Sequence, residues 1–99
     1  MAHYAFVDDL NVVQEVIAGN DETTGDWEAY YADVRGQRCL RTSYHACRGV
    51  HSVTGEAAFR GNYAAQGMIY NAEIDAFVDP CPGEGWTLDP ATASWVESA

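Results

Sequence analysis

The chain is 99 residues long, 12% aromatic, and carries 15 acidic residues against five basic ones, for a formal net charge of −10. That size gives one small domain, 1–99, with a modest core, so a partner or a second copy that adds buried area is expected. The acidity argues against general nucleic-acid binding and against an anionic membrane surface, since both select cationic proteins. No run of about 18 apolar residues is present to span a bilayer, and Met1-Ala2-His3-Tyr4 lacks the basic-then-apolar pattern of a secretory leader. The three cysteines, Cys39, Cys47 and Cys81, are an odd count without a C-x-x-C pair, which predicts reduced thiols made in a cytosol.

In chain order, His3–Val7 reads as a strand with Tyr4 and Phe6 on one parity and Ala5 and Val7 on the other. Asp8-Asp9-Leu10-Asn11 is turn chemistry, and the β-branched stretch Val12–Ala18 closes an N-terminal hairpin over 1–18. After a polar loop, Asp26 is placed to cap a short helix over 26–35, with Glu28 in its first turn and Gly36 as its stop. Trp27, Tyr30, Tyr31 and Val34 fall on one helical face and are expected to pack on the sheet.

Residues 36–67 form an Arg-rich, Gly-punctuated segment. All five basic residues of the chain are arginines within it or at its border: Arg35, Arg38, Arg41, Arg48 and Arg60. A strand is expected near Arg38–Tyr44 and a brief one at Ala57–Phe59, with the rest an irregular central loop, a length usually functional or held from outside. Over 68–97 an internal repeat is legible. Tyr70-Asn71 precedes Phe77-Val78 as Leu88-Asp89 precedes Trp95-Val96, which predicts two hairpins of one geometry joined by Pro80-Cys81-Pro82-Gly83. The fold class is therefore α+β: three antiparallel hairpins, one short helix and a long central loop.

Residue spacing separates several chemistries. Cys39, His45, Cys47 and His51 read C-x5-H-x-C-x3-H; the residue types suit zinc, but the spacing fits none of the usual structural sites, and two loop histidines with buried or idle thiols is the simpler reading. Ser43 and His45 lack a nucleophile elbow, and Cys47 beside Arg48 is weak evidence for an activated thiolate. The glycines never form a phosphate-cradling pattern, and the paired acids Asp8-Asp9 and Asp21-Glu22 lack the alternation of a calcium loop. No catalytic residue, metal or other cofactor is expected. The arginines remain. Their planar forks pair with carboxylates and stack on aromatics, so they either neutralise the acidic arms of this chain or of a neighbouring copy, or dock on an acidic protein. A nucleic-acid reading has the arginines and aromatics in its favour but must overcome the net charge of −10. The candidate contact residues are Arg38, Arg41, Tyr44, Arg48, His51, Arg60 and Tyr63.

A resemblance sharpens that reading. Arg41-Thr42-Ser43-Tyr44, Gly49-Val50-His51, Phe59-Arg60 and Asn62-Tyr63-Ala64 are followed by Gly67, Tyr70, Asp75-Ala76-Phe77, a proline-rich link, Trp86, Leu88-Asp89, Thr92 and Trp95. In order and spacing this resembles a group of small proteins encoded by tailed bacteriophages, notably marine and cyanobacterial ones. Met1-Ala2-His3-Tyr4-Ala5 and Asn11-Val12-Val13 extend the likeness over nearly the full length. It departs at Asn71, where Asp is usual, and at Cys81 and Gly83, where the link usually carries an aromatic. The resemblance implies a non-enzymatic virion protein made in the host cytoplasm. A capsid decoration (cement) protein fits best, its partners being the major capsid protein and other copies of itself, without direct nucleic-acid or membrane contact. A tail or tail-fibre module is the alternative within the particle; a small regulatory or metal-binding phage protein is the alternative outside it.

Overall fold

The computed structural model describes residues 2–97; Met1, which opens the N-terminal motif quoted above, and residues 98–99 lie outside them. The fold is α+β, built of antiparallel hairpins with one short helix. Strands β1 (Ala2–Val7) and β2 (Val13–Gly19) form the opening hairpin. Its turn is made as the sequence predicts. Asp8 Oδ1 accepts from the backbone N–H groups of Leu10 and Val12, and Asn11 takes a left-handed φ of 65°.

A short 3-10 turn (Glu22–Thr24) capped by Asp21 leads to helix α1 (Trp27–Arg35). Asp26 caps α1 by accepting from the Ala29 N–H, and Gly36 ends it in the left-handed region at φ 64°. The chain then enters β3 (Arg38–Thr42), which pairs with β1 and not with its sequence neighbour, so the sheet order is β2-β1-β3.

That order puts β1 at the centre, where it is buried on both faces. On the even parity Ala2, Tyr4 and Phe6 join Cys39 beneath Trp27, Tyr31 and Ala32 of α1. On the odd parity Ala5 and Val7 meet Val13, Ala64 and Phe77. Phe77 comes from the hairpin β6 (Ile69–Asn71) and β7 (Ala76–Val78), and a third cluster, Ala76, Val78 and Ala93, joins it to the hairpin β8 (Trp86–Asp89) and β9 (Ser94–Glu97). The layers are thus helix, sheet and hairpins.

The repeat is real at the level of register. Tyr70 faces Phe77 and Leu88 faces Trp95; Asn71 Oδ1 and Asp89 Oδ1 each accept from the N–H two residues on; Asp75 and Ala93 both turn left-handed, at φ 50° and 49°.

Two expectations are corrected. The inward face of α1 is rotated: Trp27, Tyr31 and Ala32 pack, while Tyr30 and Val34 are 54% and 64% exposed. The cause is Glu28, whose carboxylate is tied to the sheet side by the Arg41 N–H and the Arg60 guanidinium and so draws its own face inward. The brief strand expected at Ala57–Phe59 does not form. Ala57 makes a single bridge to Val50, and the left-handed residues Gly55, Arg60 and Gly61 close the segment on either side. In its vicinity lies instead a small hairpin, β4 (Ala46–Cys47) and β5 (Val50–His51), turning through Arg48 and Gly49 at φ 51° and 82°. Two successive left-handed residues match the twist of a two-residue hairpin.

Candidate functional site: the central segment

The long central segment is held from within the chain. Gly49 N–H donates to Gly61 O, Tyr63 N–H to Ala46 O, Ser52 N–H to His45 O and His51 N–H to Glu56 O. Asn62 is the junction: its Oδ1 accepts from Arg48 N–H at 2.7 Å, and its amide donates to Phe77 O and Ala93 O at 2.8 Å each. One side chain therefore ties the β4–β5 turn to both C-terminal hairpins. Thr42, the buried polar residue of β3, accepts from Ala64 N–H at 2.8 Å. Gly61 is needed where it stands, because a Cβ there would lie 2.6 Å from Ala93 Cβ.

The arginines divide. Arg60 is a structural cation with a side chain 14% exposed. It reaches Glu28 at 2.8 Å, Asp75 at 3.0 Å and Arg41 O at 2.9 Å. Burial opposes its charge, but the hydrogen bonds and charges of Glu28 and Asp75 outweigh burial and raise its pKa. Asp75 also accepts from the Tyr70 hydroxyl. That bond and Arg60 together hold its carboxyl below the usual range against the opposing effect of burial. Tyr70 is raised in turn, by burial first and then by Asp75. Arg41 lies over the Phe59 ring at 3.9 Å and pairs with Glu22 at 3.6 Å; Arg35 pairs with Glu15 at 2.7 Å and covers Phe6. Three arginines thus knit the acidic arms to the middle of the chain. Arg38, near Tyr70, and Arg48 make no ion pair among the described residues.

The other expected contact residues form a surface patch. Tyr44, 63% exposed, packs its ring against Tyr63 at 5.3 Å and against His3 at 5.4 Å. His45 follows Tyr44 and sits 5.0 Å from His51, so all three histidines of the chain gather there. Val53, whose N–H meets His51 Nδ1, extends the patch as an exposed apolar side chain of the same segment. The imidazoles are oriented: His51 Nδ1 accepts from Val53 and Thr54 N–H, and His45 Nδ1 meets Ser52 Oγ. Arg41 borders the patch along a cavity of about 220 Å³ shared with His3, Tyr44 and His45.

Of the seven expected contact residues, then, Tyr44, Tyr63 and His51 share one patch and Arg41 flanks it. Arg60 is turned inward, Arg48 faces the last hairpin, and Arg38 starts β3 at the far end from Tyr44. The four candidate zinc ligands do not converge. Cys39 is buried under α1, its thiol pushed up to about 11 by burial and then by Glu28, while Cys47 and Cys81 are exposed. Among the described residues no group of three or more His, Cys, Asp or Glu is placed to hold a metal. Sequence reasoning missed His3, Glu28 and Asp75. His3 reaches the patch because it pairs with Thr42, two residues before Tyr44; only the β1–β3 register reveals this. Glu28 and Asp75 carried one legible signal, an acidic residue interrupting apolar neighbours. No protein-family model matches the chain, and no curated protein or solved structure matches it either.

Proposed function

We propose that the protein is a non-enzymatic decoration protein of a tailed-bacteriophage head, binding the outer capsid and stabilising contacts between major capsid subunits, as one of several copies. The observation that carries this is the Tyr44 patch. It presents exposed aromatic and apolar side chains on backbone already fixed by hydrogen bonds to the rest of the chain. Rigid aromatic anchors bind protein surfaces well because little side-chain freedom is left to lose. The dimensions, 45 × 33 × 19 Å, are those of a slab able to lie flat on a shell. The likeness in residue order to small phage proteins supports the particle; the patch supports the mode of contact. A tail-associated module is the second reading, favoured by the two C-terminal hairpins of identical register.

The test is binding to capsids lacking the protein, followed by mass spectrometry of purified virions for copy number. Tyr44→Ala with Val53→Asp should weaken capsid binding about 30-fold or more, the loss of one central anchor, with the fold unchanged by circular dichroism. Unaltered binding by that double variant defeats the patch. Copy numbers of a few to a few dozen per particle, in place of hundreds, move the protein to the tail. Arg41→Ala and Arg60→Ala are poor probes of docking, since both side chains hold the fold.

A further inference from the structure

Arg48 and the tryptophans of the last hairpin meet in a cavity apart from the Tyr44 patch. It measures about 320 Å³ and lies between the β4–β5 turn and the β8–β9 hairpin, at the small end of ligand pockets. Trp86, Trp95 and Pro82 wall it; Arg48, Asn62 and Asp79 border it. The strand register explains the paired indoles. Leu88 opposes Trp95, and Trp86 is two residues from Leu88, so both rings stand on one face of the hairpin. Trp95 Nε1 donates to Asp79 O at 2.7 Å, which fixes that indole and the Asp79 backbone together. The Asn62 amide is fully committed to backbone groups. The charged groups left over are the Arg48 guanidinium and the Asp79 carboxylate, neither of which has an ion-pair partner among the described residues.

We propose that this cavity is a binding subsite for a neutral saccharide. One cation and one anion leave the rim without net charge, so it selects neither an anionic nor a cationic ligand, and the chain's net −10 opposes anions further. A guanidinium only donates and a carboxylate only accepts. Sugar hydroxyls do both, and a pyranose ring offers an apolar face to an indole. Flat apolar walls with two charged, directional hydrogen-bonding groups at the rim match that pattern. A proline-rich segment would use the same aromatic walls. It brings carbonyl acceptors and few donors, however, and would leave the Asp79 carboxylate desolvated without a partner.

The test is a titration of the isolated ¹⁵N-labelled protein with cellobiose, maltose, lactose and N,N′-diacetylchitobiose, followed by NMR. At least one should shift the indole N–H signals of Trp86 and Trp95 saturably, with a Kd on the order of 1 mM. Trp27, on α1 at the other side of the sheet, is the internal reference and should not move. Arg48→Ala and Asp79→Asn should each weaken binding about tenfold. Asp79→Asn keeps the shape and leaves the Trp95 bond to Asp79 O in place, so it reports on the site if Arg48→Ala perturbs the turn. Silence with all four disaccharides overturns the proposal, as does binding that neither variant weakens. A proline-rich peptide shifting the same indoles while the saccharides do not reassigns the cavity to peptide. No capsid enters this experiment, so its failure leaves the decoration reading standing, and failure of the capsid assay leaves the saccharide site standing.

Discussion

Asn62 shows how much a single side chain can decide. Its three hydrogen bonds reach the central hairpin and both C-terminal hairpins, so Asn62→Ala orphans one N–H and two carbonyls at once. Stability should fall by about 2–4 kcal/mol, read as a lower urea midpoint. Cys39 gives a second check. Its raised pKa means that its contribution is intact below the ordinary thiol value of 9.0 and is lost as pH rises toward about 11. In the native protein Cys47 and Cys81 should react readily with a thiol reagent, and Cys39 only on unfolding. Asp75 has the opposite sign. Its depressed pKa contributes stability above its ordinary value of 3.8, and that contribution is lost as pH falls through the folded value. Urea midpoints of Asp75→Asn, followed from about pH 6 to about pH 3, should fall less steeply than those of the parent protein.

The elements differ in how much of themselves they carry locally. The opening hairpin, the helix caps and the paired C-terminal turns were all legible, because each rests on an Asp, Asn or Gly acting within four residues of itself. The face of α1 was not. Periodicity ranked Tyr30 and Val34 above Glu28, and the ion pair with Arg60, 32 residues away, reversed that ranking. A nine-residue helix has little stability of its own, so its cap and its docking should matter together. Asp26→Ala should cost about 1 kcal/mol. Gly61→Ala is expected to be worse, since the added methyl meets Ala93 and Ala76 at a left-handed φ of 73°.

The whole molecule carries net charge −10 with three of its five arginines paired within the chain. Salt screens the ion pairs, each worth about 1 kcal/mol or less where exposed, but it also screens the mutual repulsion of the surplus carboxylates. With the surplus this large, repulsion wins: the Tm should rise on adding about 0.5 M NaCl. A fall in Tm would mean that the Arg60–Glu28–Asp75 knot dominates. The candidate site belongs to this scale as well. A basic window interleaved with aromatics was visible along the chain, yet folding sends its members to different surfaces. Arg60 goes inward to Glu28, Tyr44 and Tyr63 go to His3, and Arg48 goes to Trp86 and Trp95.

What the amino-acid sequence determined alone is whatever short-range chemistry specifies: the turns of the first and the two C-terminal hairpins, the helix and its ends, the repeat of 70–78 in 88–96, and the α+β class. What only the tertiary structure decided is pairing between distant segments. The β1–β3 register brings His3 to Tyr44, and Asn62 and Arg60 each join three parts of the chain. The reason is physical. A turn is selected by the energy of a few neighbouring dihedrals and one side chain, whereas a charge or an aromatic ring takes whichever partner the closed chain offers it. Composition counts those partners without placing them.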